Sequence, residues 1–200
     1  MRRFVVLGHD VPVTPDVPLD DLPGGAGRLD VLCRCVVAAL LRSHGVRSDA
    51  SIVTVHRDEL AIEFDGAAIR HLHPDERSTA ARFRDALAAG QEAVGAMAVE
   101  ADPGITAARR DLAGVLESEP AGADLVLLDP AGDPVTDLPA DRSYTFVLSD
   151  HHPFTESDLE VLRPAVDRRV SLGPVAIHAD QAITVTHNYL DTDGYRTYAG

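Results

Sequence analysis

The residues with the most chemical potential in this 200-residue chain lie just before its first long apolar helix pattern, in Gly25-Ala26-Gly27-Arg28-Leu29-Asp30. Backbone N–H groups at a helix start attract anions, and the Arg28 guanidinium adds a planar fork that fits a phosphate or a base edge. Asp30, one turn further, is a carboxylate beside that cation. It can complement the helix dipole, accept a proton or position a base edge. The run begins like a dinucleotide fingerprint, but an aspartate stands where the third glycine must let helix pack on strand. A Walker loop is excluded, because the chain contains no lysine. Neither Gly-x-Ser-x-Gly nor His-Glu-x-x-His occurs, so the hydrolases built on those motifs are excluded as well.

Nine histidines raise the question of a metal. Cys33 and Cys35, two apart in a helical pattern, point to different sides and cannot share one ion. His71 and His73 could share a strand face but lack a third donor at recognisable spacing. Asp150-His151-His152 is the strongest metal candidate. The expectation is nevertheless a protein without a metal, with polar or substrate-facing histidines in that turn.

These groups need elements to position them. Phe4 to Gly8 reads as a buried strand, followed by a proline-rich loop from Asp10 to Gly27. Leu29, Leu32, Cys33, Val36, Val37, Leu40 and Leu41 carry helical spacing, and Gly45 is the expected stop. Residues 52–55 and 60–64 predict an antiparallel hairpin, followed by Asp65-Gly66 as a turn, and residues 67–72 a third strand. Helices are expected over 74–87 and 106–116, with a short strand near 96–100. The last third alternates strands at 125–128, 145–148 and 169–171 with helices at 155–162 and 176–189. That order predicts an α/β fold with a largely parallel sheet, whose ligands sit outside the carboxyl ends of the strands. Three turns fall there: Leu128-Asp129-Pro130, Leu148 to His152, and Ser171 to Pro174.

Composition bounds the setting. There are 32 acidic against 18 basic residues, all of the latter arginine, for a formal net charge of -14. Absent lysine and abundant aspartate suit a cytosol of very high salt, where the Debye length falls to about 3 Å at 1 M and such a surface barely repels itself. High genomic GC content is the other source of this bias. In molar salt the net charge does not exclude RNA, which is then recognised through local arginine, shape and stacking contacts. No apolar window approaches a membrane span, the amino-terminal apolar run is too short for export, and two cysteines give no disulfide framework, so a cytoplasmic protein is expected. Phe4, Tyr144 and Phe154 are read as core, whereas Tyr195 and Tyr198 in the polar tail from Asp191 to Gly200 are free to touch a partner.

Four segments carry a family resemblance across essentially the whole chain: Asp21 to Val36, Pro74-Asp-Glu-Arg-Ser78, Val147-Leu-Ser-Asp-His151 and Ser171 to Gln181. Together they resemble the archaeal tRNA pseudouridine-54 N1-methyltransferases, the TrmY family of the SPOUT superfamily. The resemblance implies one domain over residues 1–200, with substrate-side elements in 1–120 and a cofactor-binding part in 121–200 closed by a deep trefoil knot. It implies a homodimer, S-adenosyl-L-methionine as cofactor, and methylation of N1 of pseudouridine 54 in the T loop of tRNA. By motif matching, the cofactor would be held by Leu128, Ser149, Leu172, Gly173, Pro174, Val175, Ala176, Ile177 and Ala182. Ser149 stands where the family commonly has glycine, and Ala182 where relatives often carry cysteine. Asp30 and Arg28 are then the expected catalytic pair, with Arg34 and Arg77 as RNA contacts. The alternatives are an N1-specific pseudouridine methyltransferase acting on ribosomal RNA and a non-catalytic RNA-binding or assembly factor.

Overall fold

The structure is a computed structural model and describes residues 1–198. Its first strand, β1 (Arg2–Gly8), is buried from Arg3 onward, as befits a central strand covered on both faces. Alternate side chains serve two cores: Phe4 and Val6 face one, Val5 and Leu7 the other. The proline-rich loop follows and contains a four-residue turn of helix, α1 (Leu22–Gly25), capped by the Asp21 side chain. Next comes α2 (Leu29–Leu40), whose buried stripe includes Leu29, Leu32, Val36 and Leu40. Gly45 is not its stop. The helix ends at Leu40, and a small ribbon of β2 (Leu41–Arg42) and β3 (Gly45–Val46) intervenes.

The hairpin of β4 (Ala50–His56) and β5 (Leu60–Asp65) forms as expected, antiparallel. Residues 67–72 do not return as a strand. Asp65 captures the backbone N–H groups of Ala67 and Ile69, and the chain turns away. Helix α3 (Glu76–Glu92) is capped by Asp75 and buries Phe83 between Phe64 and His56, with ring centroids 4.9 and 5.6 Å apart. The helix expected over 106–116 is instead two elements. Residues Ile105–Ala108 form β7, paired antiparallel with β5 and with β6 (Val99–Asp102), and only α4 (Leu112–Glu117) is helical. Gly104 makes that difference: at φ 78° it turns the chain so that Ile105 lies back along β6.

The last third holds β8 (Asp124–Pro134), β9 (Tyr144–Ser149), α5 (Glu156–Ala165), β10 (Arg168–Ser171) and α6 (Ala179–Asp191). One eight-stranded sheet, ordered β10-β8-β9-β1-β4-β5-β7-β6, runs through the molecule. Its parallel part extends from β10 to β4, and β5, β7 and β6 add an antiparallel flank. Helices α2, α3 and α6 lie over the face carrying Phe4, and α4 and α5 over the face carrying Val5. Strand β8 is longer than expected because it makes an excursion. Val126 and Leu127 pair with Arg168 and Arg169, then Asp133 and Pro134 rejoin beside Val170 and Ser171. Gly132 lies so close to β10 that a Cβ there would stand 2.5 Å from the Val170 nitrogen.

Candidate active site

Parallel pairing of β1, β8, β9 and β10 brings their carboxyl ends to one side, where helix N-termini and loops can surround a ligand. A cavity of about 460 Å³ lies there. Its walls are Leu128–Pro130, Leu148–Phe154, Val170–Gly173, Val175–Ile177, and Ala179 and Ala182 of α6. The lining is largely apolar with a few polar groups, the usual character of a small-molecule site. Every cofactor residue expected from the sequence lines it except Pro174, which belongs to the same loop without facing the cavity.

Two features suit this cavity to a polar ligand with an apolar body. The Ser149 hydroxyl is buried and has no hydrogen-bond partner. Such an orphan costs about 1–3 kcal/mol unless something completes it. Gly173, in the loop that lines the cavity, is exposed, and a Cβ placed on it would meet nothing within 4 Å, so the loop stays open at this point.

At the start of α2, next to this cavity, the glycine-rich turn adopts the backbone that its residues permit. Gly27 has φ 53°, and a Cβ there would sit 2.0 Å from the Asp10 carbonyl oxygen, so the end of β1 and the start of α2 meet backbone to backbone. Arg28 follows in the left-handed region at φ 63°. That geometry folds its guanidinium onto Asp30: Nε donates to Oδ1 at 3.0 Å and Nη2 to Oδ2 at 3.2 Å. Arg34, one turn on, donates through Nη1 to Asp30 Oδ2 at 2.8 Å and to Glu76 Oε1 at 3.0 Å. Its Nε lies 4.0 Å from Asp180 Oδ1, in the first turn of the same α6 that walls the cavity. Burial pushes the Asp30 carboxyl up, but the bonds from Arg28 and Arg34 outweigh it and hold the group below the usual carboxylate range. Arg28 keeps 41% of its side chain exposed while anchored. Arg77 stands apart on the surface, paired with Asp20.

Sequence spacing did not reveal a second network. Asp150, between β9 and α5, receives the His9 backbone N–H at 3.0 Å and the His152 backbone N–H at 2.8 Å. The His9 ring bridges Asp150 and Asp158, 141 and 149 residues away, a separation that no local pattern encodes. Donor atoms of Asp10, His151 and His152 lie within 4.8 Å of one another, and His152 Nε2 is already joined to Asp10 Oδ2 at 2.9 Å. Cys33 and Cys35 are free and buried in α2, where burial pushes their thiols up and keeps them unreactive. His71 and His73 lie in an irregular segment instead of on one strand face.

A parallel-sheet α/β protein with a small-molecule-sized cavity at its strand ends and an arginine-carboxylate cluster beside it has the layout of an α/β ligand-binding enzyme. The family comparison is specific. A family model described as "Putative SAM-dependent RNA methyltransferase" matches residues 1–195, and the chain belongs to that family. The tRNA (pseudouridine(54)-N(1))-methyltransferase of Natronomonas pharaonis is 53% identical over 199 residues, covering 99% of this chain and all of the relative. The protein of the same description from Haloferax volcanii is 50% identical over 198 residues, with 99% and 100% coverage. That from Methanocella arvoryzae is 40% identical over 192 residues, covering 94% and 97%. Among solved structures, Archaeoglobus fulgidus Nep1 bound to S-adenosylhomocysteine superimposes with a TM-score of 0.60 over 98% of this chain and 97% of that one. At 14% identity this last likeness speaks to the fold.

Proposed function

We infer that the protein is an S-adenosylmethionine-dependent tRNA methyltransferase that methylates N1 of pseudouridine 54 in the T loop. The observation that carries this reading is the full-length 50–53% identity to proteins of that description. The cavity at the strand ends, with the room left by Gly173 and the unpartnered Ser149 hydroxyl, supports it independently.

In this reading Leu128, Ser149, Leu172, Gly173, Val175, Ala176, Ile177 and Ala182 enclose the cofactor, and Pro174 stiffens the loop from behind. Bound there, the sulfonium supplies an already activated methyl group. The protein's task is placement: N1 of the target base must lie in line at about 3 to 3.5 Å. Arg28 meets the base or its phosphate, and Arg34 and Arg77 contact the RNA backbone. Asp30 is ionised, the form that a proton acceptor needs. Both of its oxygens, however, are engaged by guanidinium donors, which favours its other role of fixing Arg28 and Arg34 against the base. The target base is reached in a loop, where it can be splayed out.

The finer architecture belongs to the same proposal. Residues 1–200 act as one domain, with 1–120 on the substrate side and 121–200 around the cofactor. The carboxyl-terminal part is threaded as a trefoil knot, a reading that rests on the family resemblance and on the parallel order β10-β8-β9-β1 of its strands. A homodimer is supported by Val175 and Ile177, 72% and 42% exposed on the cofactor loop. No helix among the described residues is long and apolar enough to cross a membrane, and we place the enzyme in the cytoplasm, acting without a metal.

The test uses cofactor carrying a labelled methyl group, in molar KCl, with T-loop stem-loops bearing pseudouridine or uridine and with ribosomal fragments bearing pseudouridine. Label on the pseudouridine T loop alone is expected. Label confined to ribosomal fragments would replace this reading with the ribosomal one. Cofactor binding without transfer to any of them would favour a binding factor.

A further inference from the structure

We propose that His9 is a positioning residue for cofactor binding: it fastens Asp150, and with it the Ser149–Phe154 wall of the cavity, to the end of β1 and the start of α5. The wall is a loop between β9 and α5, and nothing in its own sequence holds it at a fixed distance from the rest of the site. From outside, His152 Nε2 meets Asp10 Oδ2 at 2.9 Å, and three bonds hold Asp150. The Asp150 backbone N–H donates to the Leu7 carbonyl at 3.0 Å, and the His9 N–H donates back to Asp150 Oδ2 at 3.0 Å. The His9 ring then donates through Nδ1 to Asp150 Oδ1 at 3.3 Å and through Nε2 to Asp158 Oδ2 at 2.9 Å.

Carboxylate oxygens only accept, so a ring bonded to two of them carries hydrogen on both nitrogens and is the imidazolium cation. The clamp is therefore ionic at both ends. Its surroundings favour that charge: Asp150 and Asp158 face it directly, Asp10 adjoins it, and the His152 ring stands edge-on at 6.0 Å. Arg57 and Asp58, from the turn between β4 and β5, share with His9 the neighbouring hollow that Asp158 lines. The Asp150 side chain is almost wholly buried and that of His9 is 18% exposed, so water competes little for these bonds. Asp158 lies outside the cofactor cavity and also caps α5 through the Thr155 backbone N–H at 2.7 Å. His9 thus ties this wall to the end of β1 and to the first turn of α5 at once. It touches neither cofactor nor substrate in this arrangement, and its influence passes through Asp150.

This inference rests on the placement of the cofactor in the cavity, and the experiment separates the two. S-adenosylhomocysteine is titrated calorimetrically in molar KCl into the wild type and the His9→Ala, His9→Gln, Asp158→Asn, His9→Ala/Asp158→Asn and Gly173→Val variants, each checked for a cooperative thermal transition. His9→Ala is expected to weaken binding about tenfold, the size of one lost charge-assisted contact. His9→Gln, which keeps one donor, should recover part of the loss and stands in if the alanine variant fails to fold. The double variant should lose no more than the larger single loss, because both changes cut one clamp. In methyl transfer the KM for the cofactor should rise while kcat stays within about twofold. Unchanged affinity in His9→Gln and His9→Ala, or fully additive losses in the double variant, would overturn the clamp. Unchanged affinity in Gly173→Val would instead show that the cavity is not where the cofactor binds.

Discussion

Asp30 has a sequence position that invites a catalytic role and a structural setting that narrows it. Three guanidinium hydrogen bonds reach its two oxygens, so removing the charge loosens both arginines together. Asp30→Asn is expected to lower turnover on a pseudouridine T loop by about 10- to 100-fold, within the range of lost orienting or proton-accepting groups. Affinity for S-adenosylhomocysteine should change less than about twofold, which calorimetry checks. Ser149 gives the opposite separation. Ser149→Ala removes an orphaned hydroxyl, so the free protein should be stabilised or unaffected while cofactor affinity falls about threefold to tenfold, as for one lost neutral hydrogen bond. Thermal melts with and without ligand check both halves. Arg28 and Asp30 were legible because a glycine turn, a cation and a carboxylate fall within four residues. The His9 to Asp150 bridge was not, because its partners meet only when β1 and β9 pair.

Among the elements, the start of α2 is held by a contact that has no side chain in it. Gly27→Ala would drive a Cβ against the Asp10 carbonyl oxygen and strain a backbone already at φ 53°. The variant should lose more than about 1 kcal/mol of stability in denaturant titration and also weaken RNA methylation, because Arg28 moves with the turn. Strands β1, β4 and β9 were readable from short β-branched apolar runs and the parallel sheet from the alternation with helices in the last third, whereas the parallel pairing of β1 with β4 has no local signal. Ile105 to Ala108 was misread because Thr-Ala-Ala followed by arginines suits a helix by composition, whereas pairing with β5 and β6 decides the outcome. Residues 67–72 failed as a strand for a local reason: the Asp65 side chain takes the Ala67 N–H and the Asp65 carbonyl those of Ala68 and Ile69, donors that a strand would need. The three turns read from the sequence line one cavity because the ends of parallel strands are a topological address that the strand order supplies.

At the scale of the whole molecule, histidines set opposite limits on pH stability. Burial pushes His56 down to about 4, and burial with the nearby Arg47 and Arg2 does the same to His187. From the ordinary 6.5 down to about 4 the unfolded chain therefore takes up protons that the folded chain refuses, and stability falls as pH drops. His9 acts in reverse. Its hydrogen bond to Asp150, opposed by burial and aided by Asp158, raises it to about 9, so its contribution is complete below 6.5 and lost by about 9. The melting temperature should accordingly peak in the neighbourhood of pH 6.5 and decline on both sides, and His9→Gln should flatten the alkaline limb only. With a net charge of -14 and no lysine, melting temperature should also climb steeply with KCl, and equal stability in dilute buffer would remove the basis for a high-salt adaptation.

The spread of the cavity wall along the chain, from Leu128 to Ala182, has a bearing on biosynthesis. A ribosome must emit almost the entire polypeptide before the pocket's closing wall, at Ala179 and Ala182, can be laid down. With the methyl donor in this cavity, as proposed, a product stopped before α6 is expected to hold it less well than a chain that carries that helix.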